Sequence, residues 1–577
     1  MKAERGFTWD ITPLHARRLI VMAIMAALLA SLTAGSALAG SATSVIVRAE
    51  AGQQEAAASI VRSLGGRVGM RLGIISGFVA SVPANAIPVL ARTPGVFSVT
   101  RNARVRLMAQ VDGYDPNWAT PVGSWKRNVE AIKAKDVWKA GYLGQGIDVA
   151  LIDSGVAPVQ GIKDHLLYGP DLSFESQADN LRNLDTFGHG THMAGIIAGR
   201  DSTILAGQED EQLDKAFLGI APKSRIVSIK VATSSGATDV SQVIAAIDWV
   251  VQHRNTDGLN IRVLNLSFGT DGTQSYLLDP MTYAAEVAWR KGIVVVVSAG
   301  NSNFGSNRLN NPAYDPFVIA VGADDTQGTN DPKDDVVPSW SARGLSSRRA
   351  DLVGPGQSVV SLRSGGSYLD LKYPAAEVGT SRFFKGSGTS EAAASVSGAA
   401  ALLLSQRPSL TPDQVKYLLT STAVTLPSTD AEGQGAGLIN VKAAKDAATP
   451  SLLLATQAFT PATGTGSLEL ARGSVHVSDG GVELNGEKDI FGTSFDSATW
   501  SALSLSGNTW SGGTWNGNTW TGNTWSGNTW SGNTWTGNTW SGNTWSGNTW
   551  SGNTWSGNTW SGNTWASAGW SSASWGD

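Results

Sequence analysis

Long apolar runs without polar alternation divide the middle of the chain into regular pieces. They are IDVALID (147–153), RIVSIKV (225–231), IRVLNLSFG (261–269), GIVVVVSAGN (292–301) and FVIAVGA (317–323). Strands that are apolar on both faces are typical of parallel sheets covered by helices. Segments with a helical pattern, SQVIAAIDWVVQH and YAAEVAWRKG among them, separate the runs. The pattern predicts an α/β domain with a doubly wound, mainly parallel sheet over about residues 128–446.

A further uncharged stretch, AAASVSGAAALLL from Ala392 to Leu404, predicts a helix that is buried on all sides. Ser390 lies at the start of this helix, after two glycines that allow a close approach of the backbone to a ligand. The N–H groups at a helix start also stabilise negative charge. Taken alone, the same letters are explained by a Ser/Thr helix cap. Ser390 is therefore a candidate nucleophile that needs support from other motifs.

The N-terminal part of the chain has a different pattern. Residues 44–107 alternate short strand-like and helix-like segments in the order β-α-β-β-α-β, which predicts a small ferredoxin-like α+β module. Before it, Arg17 and Arg18 precede a short apolar run and an Ala-Leu-Ala site that ends at Ala39. This order is typical of a cleaved export signal, with an uncleaved anchor as the alternative. The arginine pair leaves the export route open.

The C-terminal part is a repeat. From residue 506 to 565 a near-perfect SGNTW unit places a Trp at every fifth position with almost no charge. A period of five matches neither an alternating strand nor a helix, so we expect turns within the units to bring the rings to one face of a coil or solenoid. Such a ladder would bind cell-surface polymers or associate with itself. The alternative is a disordered, processed tail.

These patterns divide the chain into five predicted segments. They are a signal peptide (1–39), an N-terminal module (40–109), a sheet domain (110–446), a linker (447–505) and the repeat tail (506–577).

Composition and charge narrow the function. The 577 residues include no cysteine, which excludes disulfides, and the formal net charge is −4. Residues 41–109 hold eight Arg and two Glu, a net +6, and with +2 on residues 1–40 the remainder carries −12. A basic module beside an acidic remainder indicates electrostatic pairing within the molecule, and we find no basic motif for nucleic-acid binding.

Three motifs support Ser390. The LIDSGV motif places Asp153 at the end of a buried strand, where a carboxylate can orient an imidazole. The FGHGTHMAG motif places His189 in a glycine-flanked turn before a small-residue helix, and SAGN ends a strand with Asn301, whose amide can donate to an oxyanion. A metal site at the two histidines lacks a third ligand at matching spacing, so we predict no metal there. Asp, His, Asn and Ser in this order predict nucleophilic catalysis.

The order DSG, GHGTHMAG, SAGN and GTS resembles the subtilisin family of serine peptidases over about 320 residues. The resemblance implies that Asp153, His189 and Ser390 are the catalytic triad and that Asn301 is the oxyanion-hole donor. The segment SGFVASVP, followed by PGVFSV, also resembles the family's propeptide, which acts as an intramolecular chaperone and inhibitor. It implies autoprocessing, which we expect near residues 108–110.

The same resemblance implies roles for further residues. It makes His192 structural, and it makes Ser235, Gly236 and Ser267, Phe268, Gly269 parts of edge strands that pair with an extended substrate. Ordinary strand ends are the alternative for these five positions.

One departure from the family concerns the residue after the nucleophile. The chain reads GTSEAAA where many members read GTSMASP, so Glu391 replaces an oxidisable Met and Ala394 replaces a Pro. We expect the Glu391 side chain to point to solvent, with a shifted pH profile or a bias against acidic substrates as the alternative. Loss of the Met predicts resistance to peroxide.

The sequence therefore predicts a secreted serine endopeptidase that is made as a self-inhibited, autoprocessed precursor and acts on polypeptides. The alternative is a non-catalytic surface or adhesion protein that works through its Trp repeat. The chemistry requires no cofactor. A structural calcium ion is an option, and the acidic run from Asp324 to Asp335 is a conceivable ligand loop, although we expect it to be a solvated surface loop.

Overall fold

The fold is described from a computed structural model of the chain. The described residues are 42–50, 52–72, 77–101, 124–177, 180–213, 216–301, 308–379, 382–479, 482–489 and 494–506, with short strands between 513 and 575. The predicted signal peptide and the predicted processing site at 108–110 lie outside them. None of the described helices is both long enough and apolar enough to cross a bilayer.

The N-terminal unit is a four-stranded antiparallel sheet with helices. Its strands are β1 (Ala42–Ala49), β2 (Arg67–Leu72), β3 (Gly77–Pro83) and β4 (Val96–Arg101), in the order β2-β3-β1-β4. Its helices are α1 (Gln54–Ser63) and α2 (Ile87–Leu90). Helix α1 buries Ala57, Ala58 and Val61 in the same core as Val45 and Val47 of β1. The predicted β-α-β-β-α-β order of a small α+β module is confirmed.

The second unit contains a seven-stranded sheet. Its strands are β5 (Asp148–Asp153), β6 (Leu166–Asp171), β7 (Arg225–Lys230), β8 (Ile261–Leu266), β9 (Val294–Ser298), β10 (Ile319–Asp324) and β11 (Leu352–Pro355). They follow the order β11-β10-β9-β8-β5-β7-β6, and every neighbouring pair is parallel. The predicted doubly wound parallel sheet is confirmed.

Helices cover this sheet. They include α3 (Trp125–Ala131), α4 (Ala134–Lys139), α5 (His189–Ala198), α6 (Val240–His253), α7 (Pro280–Arg290), α8 (Tyr368–Lys372), α9 (Thr389–Gln406), α10 (Pro412–Ser421), α11 (Ala431–Gln434) and α12 (Val441–Asp446). Helices α5 and α9 pack on each other, and α6 and α7 form a second packed pair.

Helix α9 is the centre of the domain. Every residue from Thr389 to Leu404 is buried, and the helix contacts strands β8, β9, β10 and β11 as well as α5. Its small, uncharged side chains after Glu391 allow this close packing on all sides. The predicted buried helix is confirmed.

A smaller antiparallel sheet precedes α9. It consists of β12 (Val359–Leu362), β13 (Glu377–Val378) and β14 (Phe383–Gly388). A strand near the C-terminus, Ser572–Trp575, pairs with β14 at Gly386 to Gly388. Three short antiparallel strand pairs also occur between Gly513 and Thr554, in the repeat. The structure does not describe the side chains of the repeat, so the predicted arrangement of the Trp rings on one face stays a prediction.

The segment 447–505 differs from the expected linker. It contains α13 (Leu452–Ala455), α14 (Leu468–Arg472), α15 (Ser497–Ser506) and the two-residue strands Ser478–Asp479 and Val482–Glu483. Trp500 of α15 is 1% exposed and packs edge-on against Tyr283 of α7. The few side chains that anchor this segment contact residues of the sheet domain that are far away in the sequence. Local composition therefore indicated a linker.

Candidate active site

Asp153 and His189 form a buried pair at the edge of the large sheet. Asp153 is the last residue of β5, and His189 is the first residue of α5. The imidazole Nδ1 of His189 lies 2.8 Å from Oδ1 and 2.9 Å from Oδ2 of Asp153, and neither side chain is exposed. Because the carboxylate binds Nδ1, it fixes the ring orientation and leaves Nε2 as the nitrogen suited to exchange a proton with a nucleophile.

A glycine permits this close approach of helix and strand. A Cβ atom on Gly190 would lie 2.1 Å from the carbonyl oxygen of Gly155 and 3.0 Å from Oδ1 of Asp153. Any larger residue at position 190 would therefore push α5 away from the carboxylate.

Ser154 and Asp185 support the pair, although no sequence motif indicated a role for either. The Ser154 backbone N–H donates to Oδ1 of Asp153 at 2.7 Å, and its hydroxyl donates to Oδ1 of Asp185 at 2.8 Å. Asp185 also accepts from the Thr191 N–H at 2.7 Å, so it caps the first turn of α5. Burial raises the pKa of Asp185, and these hydrogen bonds oppose the rise. An acidic residue four positions before His189 was the available signal.

Ser390 is the second residue of α9. The packing of α9 on α5 brings it to the same region as His189, which begins α5. Its hydroxyl donates to the carbonyl oxygen of Ser267 at 3.4 Å, a long hydrogen bond to the residue that follows β8. Strand β8 is the neighbour of β5, so Asp153 and Ser390 belong to the same edge of the sheet.

Asn301 is held by the residue before the candidate nucleophile. Its side-chain oxygen accepts from the Thr389 backbone N–H at 2.8 Å and from the Thr389 hydroxyl at 2.9 Å. The same hydroxyl accepts from the Gly300 N–H at 3.1 Å. These bonds assign the amide oxygen to the Thr389 side, so the amide NH₂ group points the other way. Thr389 is thus a further residue of the site, and the sequence motifs did not indicate its role.

The charges around His189 favour its protonated form. Burial alone would lower the pKa of His189, but the charge and hydrogen bond of Asp153, followed by the charges of Glu391 and Asp185, raise it above its ordinary value. Burial, together with repulsion by His189, lowers the pKa of His192 to about 3. His192 is therefore neutral, and its predicted structural role stays a prediction.

Glu391 does not point to solvent, which corrects the sequence-based expectation. Its side chain is not exposed, and Oε1 lies 3.9 Å from Nε2 of His192. The reason is the packing of α9: the first turn of the helix lies against α5, so the residue after Ser390 has no path to the surface.

The predicted substrate-binding residues lie on two segments. Ser235 and Gly236 form a turn closed by a hydrogen bond from the Gly236 N–H to the Thr233 carbonyl at 2.8 Å, so the expected edge strand is absent there. The positive φ of Gly236, 76°, suits a turn. Ser267, Phe268 and Gly269 follow the end of β8 rather than belonging to it, and the side chains of Ser267 and Phe268 are buried. A role in substrate binding stays a prediction for all five.

The acidic run is only partly a solvated loop. Asp324 is fully buried and Asp335 is 2% exposed, whereas Asp331 and Asp334 between them are exposed. Burial, followed by the charges of neighbouring aspartates, raises the pKa of Asp335 to about 7 and that of Asp324 well above its ordinary range. Among the described residues no group of three or more His, Cys, Asp or Glu side chains is arranged to hold a metal ion.

The arrangement has the components of acyl-transfer chemistry. A hydroxyl begins one helix, an imidazole begins a second helix packed on it, and a buried carboxylate binds the imidazole. An oriented amide next to the hydroxyl is suited to receive an oxyanion.

Comparisons with known proteins agree with this chemistry. The model of the Subtilase family matches residues 144–442. The chain is 34% identical to Serine protease AprX of Bacillus subtilis (strain 168) over 322 residues, 54% of this chain and 70% of that protein. It is 36% identical to Subtilisin DY of Bacillus licheniformis over 318 residues, 55% of this chain and 97% of that protein. It is 30% identical to Subtilisin E of Bacillus subtilis (strain 168) over 392 residues, 67% of this chain and 84% of that protein.

Proposed function

The chain belongs to the subtilase family of serine endopeptidases, and from this premise we propose that it is a secreted enzyme, made as a self-inhibited precursor, with Asp153, His189 and Ser390 as its catalytic triad. The observation that carries the proposal is the buried hydrogen bond from His189 Nδ1 to both oxygens of Asp153, 2.8 and 2.9 Å long. A non-catalytic adhesion protein would have no need of this pair.

The proposed mechanism follows from the contacts. His189 Nε2 takes the proton of the Ser390 hydroxyl as the hydroxyl oxygen attacks the peptide carbonyl carbon. Asp153 stabilises the resulting imidazolium through Nδ1, and His189 then gives the proton to the leaving amine. The Asn301 amide and the Ser390 backbone N–H hold the oxyanion. Water hydrolyses the acyl-enzyme by the same steps in reverse order.

Labelling with a fluorophosphonate probe tests this mechanism. We expect the mature protein to be labelled once, at Ser390, and to hydrolyse a neutral peptide substrate. The Ser390→Ala variant, which removes only the hydroxyl, should show neither labelling nor turnover. Labelling of that variant would mean that another residue is the nucleophile.

The precursor proposal concerns the N-terminal unit. We propose that residues 40–109 are a propeptide that inhibits the domain in 110–446 and is removed by a cut near residues 108–110. Its support is the +6 charge of residues 41–109 against −12 on residues 110–577. Inhibition by the separated propeptide should weaken as salt rises from 50 to 500 mM, roughly the range over which screening shortens from above to below 10 Å. Cutting of Ser390→Ala expressed alone would assign the cleavage to another protease.

The proposed secretion and the proposed tail role rest on the sequence. Residues 1–39 would direct export, and the Trp repeat in 506–577 would retain the enzyme at a surface or in assemblies. Because the chain has no cysteine and the chemistry needs no cofactor, a calcium ion would serve stability alone. Expressing the protein with and without residues 507–577 and comparing the cell-associated fraction tests the tail. Equal partitioning of the two forms would remove the retention role.

A further inference from the structure

Glu391 brings a carboxyl group into the most enclosed part of the active site. It follows Ser390 directly, is not exposed, and lies 3.9 Å from His192 through Oε1 and Nε2. His192 stands one helical turn after His189 on α5. Glu391 and His192 therefore form a buried cluster, and His189 lies one helical turn away from His192 along α5.

Glu391 lies near the N-terminus of a long helix. It is the only acidic residue in the first turn of the 18-residue helix α9. The N-terminal turn of a helix stabilises negative charge because its N–H groups point toward that end. Coulomb energies are also larger in a buried site than in water, so this charge acts strongly on a titrating neighbour.

We propose that Glu391 is a positioning residue for the peptidase reaction, a buried negative charge that acts on the imidazole of His189 and sets the pH range in which the enzyme works. The inference rests on the proposed role of His189 as the general base. A base must be neutral to accept the proton of Ser390, so a charge that stabilises the imidazolium moves the onset of activity to higher pH. Glu391 is among the charges that raise the pKa of His189.

Other charges near His189 act beside Glu391 or are already paired. Asp153 at the end of β5 and Asp185 before α5 also favour the imidazolium, and His192 is neutral. Strand β7 contributes Lys230, which is bound to Glu175 at 2.6 Å.

The remaining elements packed on α9 also carry charged residues. They are Asp148 on β5, Arg262 on β8, Asp324 on β10, Lys385 on β14, Asp413 and Lys416 on α10, and Lys442, Lys445 and Asp446 on α12. Asp148 pairs with Arg225, and Asp413 accepts a hydrogen bond from the indole N–H of Trp289. Arg262 binds the carbonyl groups of Gly292, Pro408 and Leu410, and Lys416 binds Asp351. Lys442 and Lys445 both pair with Asp446. Glu391 is thus the carboxyl group that α9 itself adds to the cluster.

The pH profile of kcat/KM tests the proposal, because it reports the titration of groups in the free enzyme. The mature, full-length enzyme is assayed with a neutral peptide substrate from pH 5 to 9. We expect Glu391→Gln, which keeps the shape and removes the charge, to move the acidic limb down by about 0.5–1 pH unit. Glu391→Met should do the same and serves if the amide variant fails to fold.

Glu286→Gln is the matched control. Glu286 is equally buried, but it lies on α7 and pairs with Arg290. We expect the acidic limb of the kcat/KM profile of Glu286→Gln to stay at the pH of the parent enzyme. A limb that stays in place in both Glu391 variants, or that moves in Glu391→Met alone, would overturn the proposal. Loss of labelling at Ser390 in the parent enzyme would instead overturn the proposed function, so the two failures are distinguishable.

Discussion

Two buried ion pairs of the sheet domain have similar contact distances but different roles. Asp153 and His189 lie 2.8 Å apart, and Asp239 and Arg472 lie 2.6 Å apart. None of the four side chains is exposed. In the first pair the cation forms only when histidine takes a proton, whereas in the second the guanidinium is charged at every working pH.

The surroundings of the cations show the consequence of this difference. Arg472 also donates to the carbonyl groups of Gly486, at 2.7 Å, and Lys488, so the C-terminal segment is anchored to α6. Asp239 in turn caps α6 through the Ser241 N–H. Removal of one partner from such a permanently charged and well-bonded pair would leave the other charge buried and unpaired, so the fold depends on both partners. A short buried ion pair therefore identifies an active site only when one partner titrates in the working range.

Breaking the titrating pair should have the largest effect on turnover. Replacement of Asp153 by Asn keeps the shape but favours the wrong imidazole tautomer, so kcat should fall by about 10³–10⁴. The free energy of unfolding should change by only about 1–2 kcal/mol, since the site keeps a polar partner. Steady-state kinetics and urea unfolding in the Ser390→Ala background measure the two quantities. Full activity of Asp153→Asn would remove Asp153 from the proposed triad.

Breaking the permanent pair should do the opposite. Replacement of Arg472 by Met leaves Asp239 buried without its cation, and we expect a loss of about 3–5 kcal/mol in the free energy of unfolding. Turnover per folded molecule should stay the same. The exposed pair of Arg343 and Asp430 supplies the control, since Arg343→Met should leave the unfolding curve almost unchanged. Equal curves for both variants would show that the C-terminal segment is not anchored through Arg472.

The comparison also shows what the sequence could predict. Asp153 ends an apolar run and belongs to the LIDSGV motif. Its strand and its candidate chemistry could therefore both be predicted from the local sequence. Arg472 lies in a segment without strong patterns, and its partner Asp239 is 233 positions away, which local reading cannot detect. Glu391 was misjudged for a related reason: its exposure depends on α5, an element nearly 200 residues earlier. Patterns with a period predict elements, whereas single long-range contacts need the fold.

A neutral contact in the same site should have a smaller effect. Replacement of Thr389 by Val keeps the backbone N–H bond to Asn301 but removes the hydroxyl that binds Asn301 at 2.9 Å and Gly300 at 3.1 Å. We expect kcat to fall by about tenfold, the value of one hydrogen bond of about 1–1.5 kcal/mol, because the Asn301 amide is held less firmly. Thr389→Ser should keep most of the activity. A Val variant as active as the Ser variant would show that the hydroxyl does not orient Asn301.

The smallest expected effect is a difference between the two pairs in how their contribution to the free energy of unfolding depends on pH. Because Asp153 holds the pKa of His189 above its ordinary value, the pair stabilises the fold fully below about pH 6.5, and this stability is lost as pH rises through the raised pKa. Activity changes in the opposite direction, since the base must be neutral. In the Ser390→Ala background, the stability advantage over the Asp153→Asn/His189→Gln double variant should therefore grow as pH falls from 8 to 6, by roughly 1.4 kcal/mol per unit of raised pKa. The loss caused by Arg472→Met should be the same at both pH values, because the charge and hydrogen bonds of Asp239 outweigh burial and raise the pKa of Arg472 above its ordinary value. A flat difference for the histidine pair, measured by urea unfolding at each pH, would mean that Asp153 does not raise the pKa of His189 in the folded state.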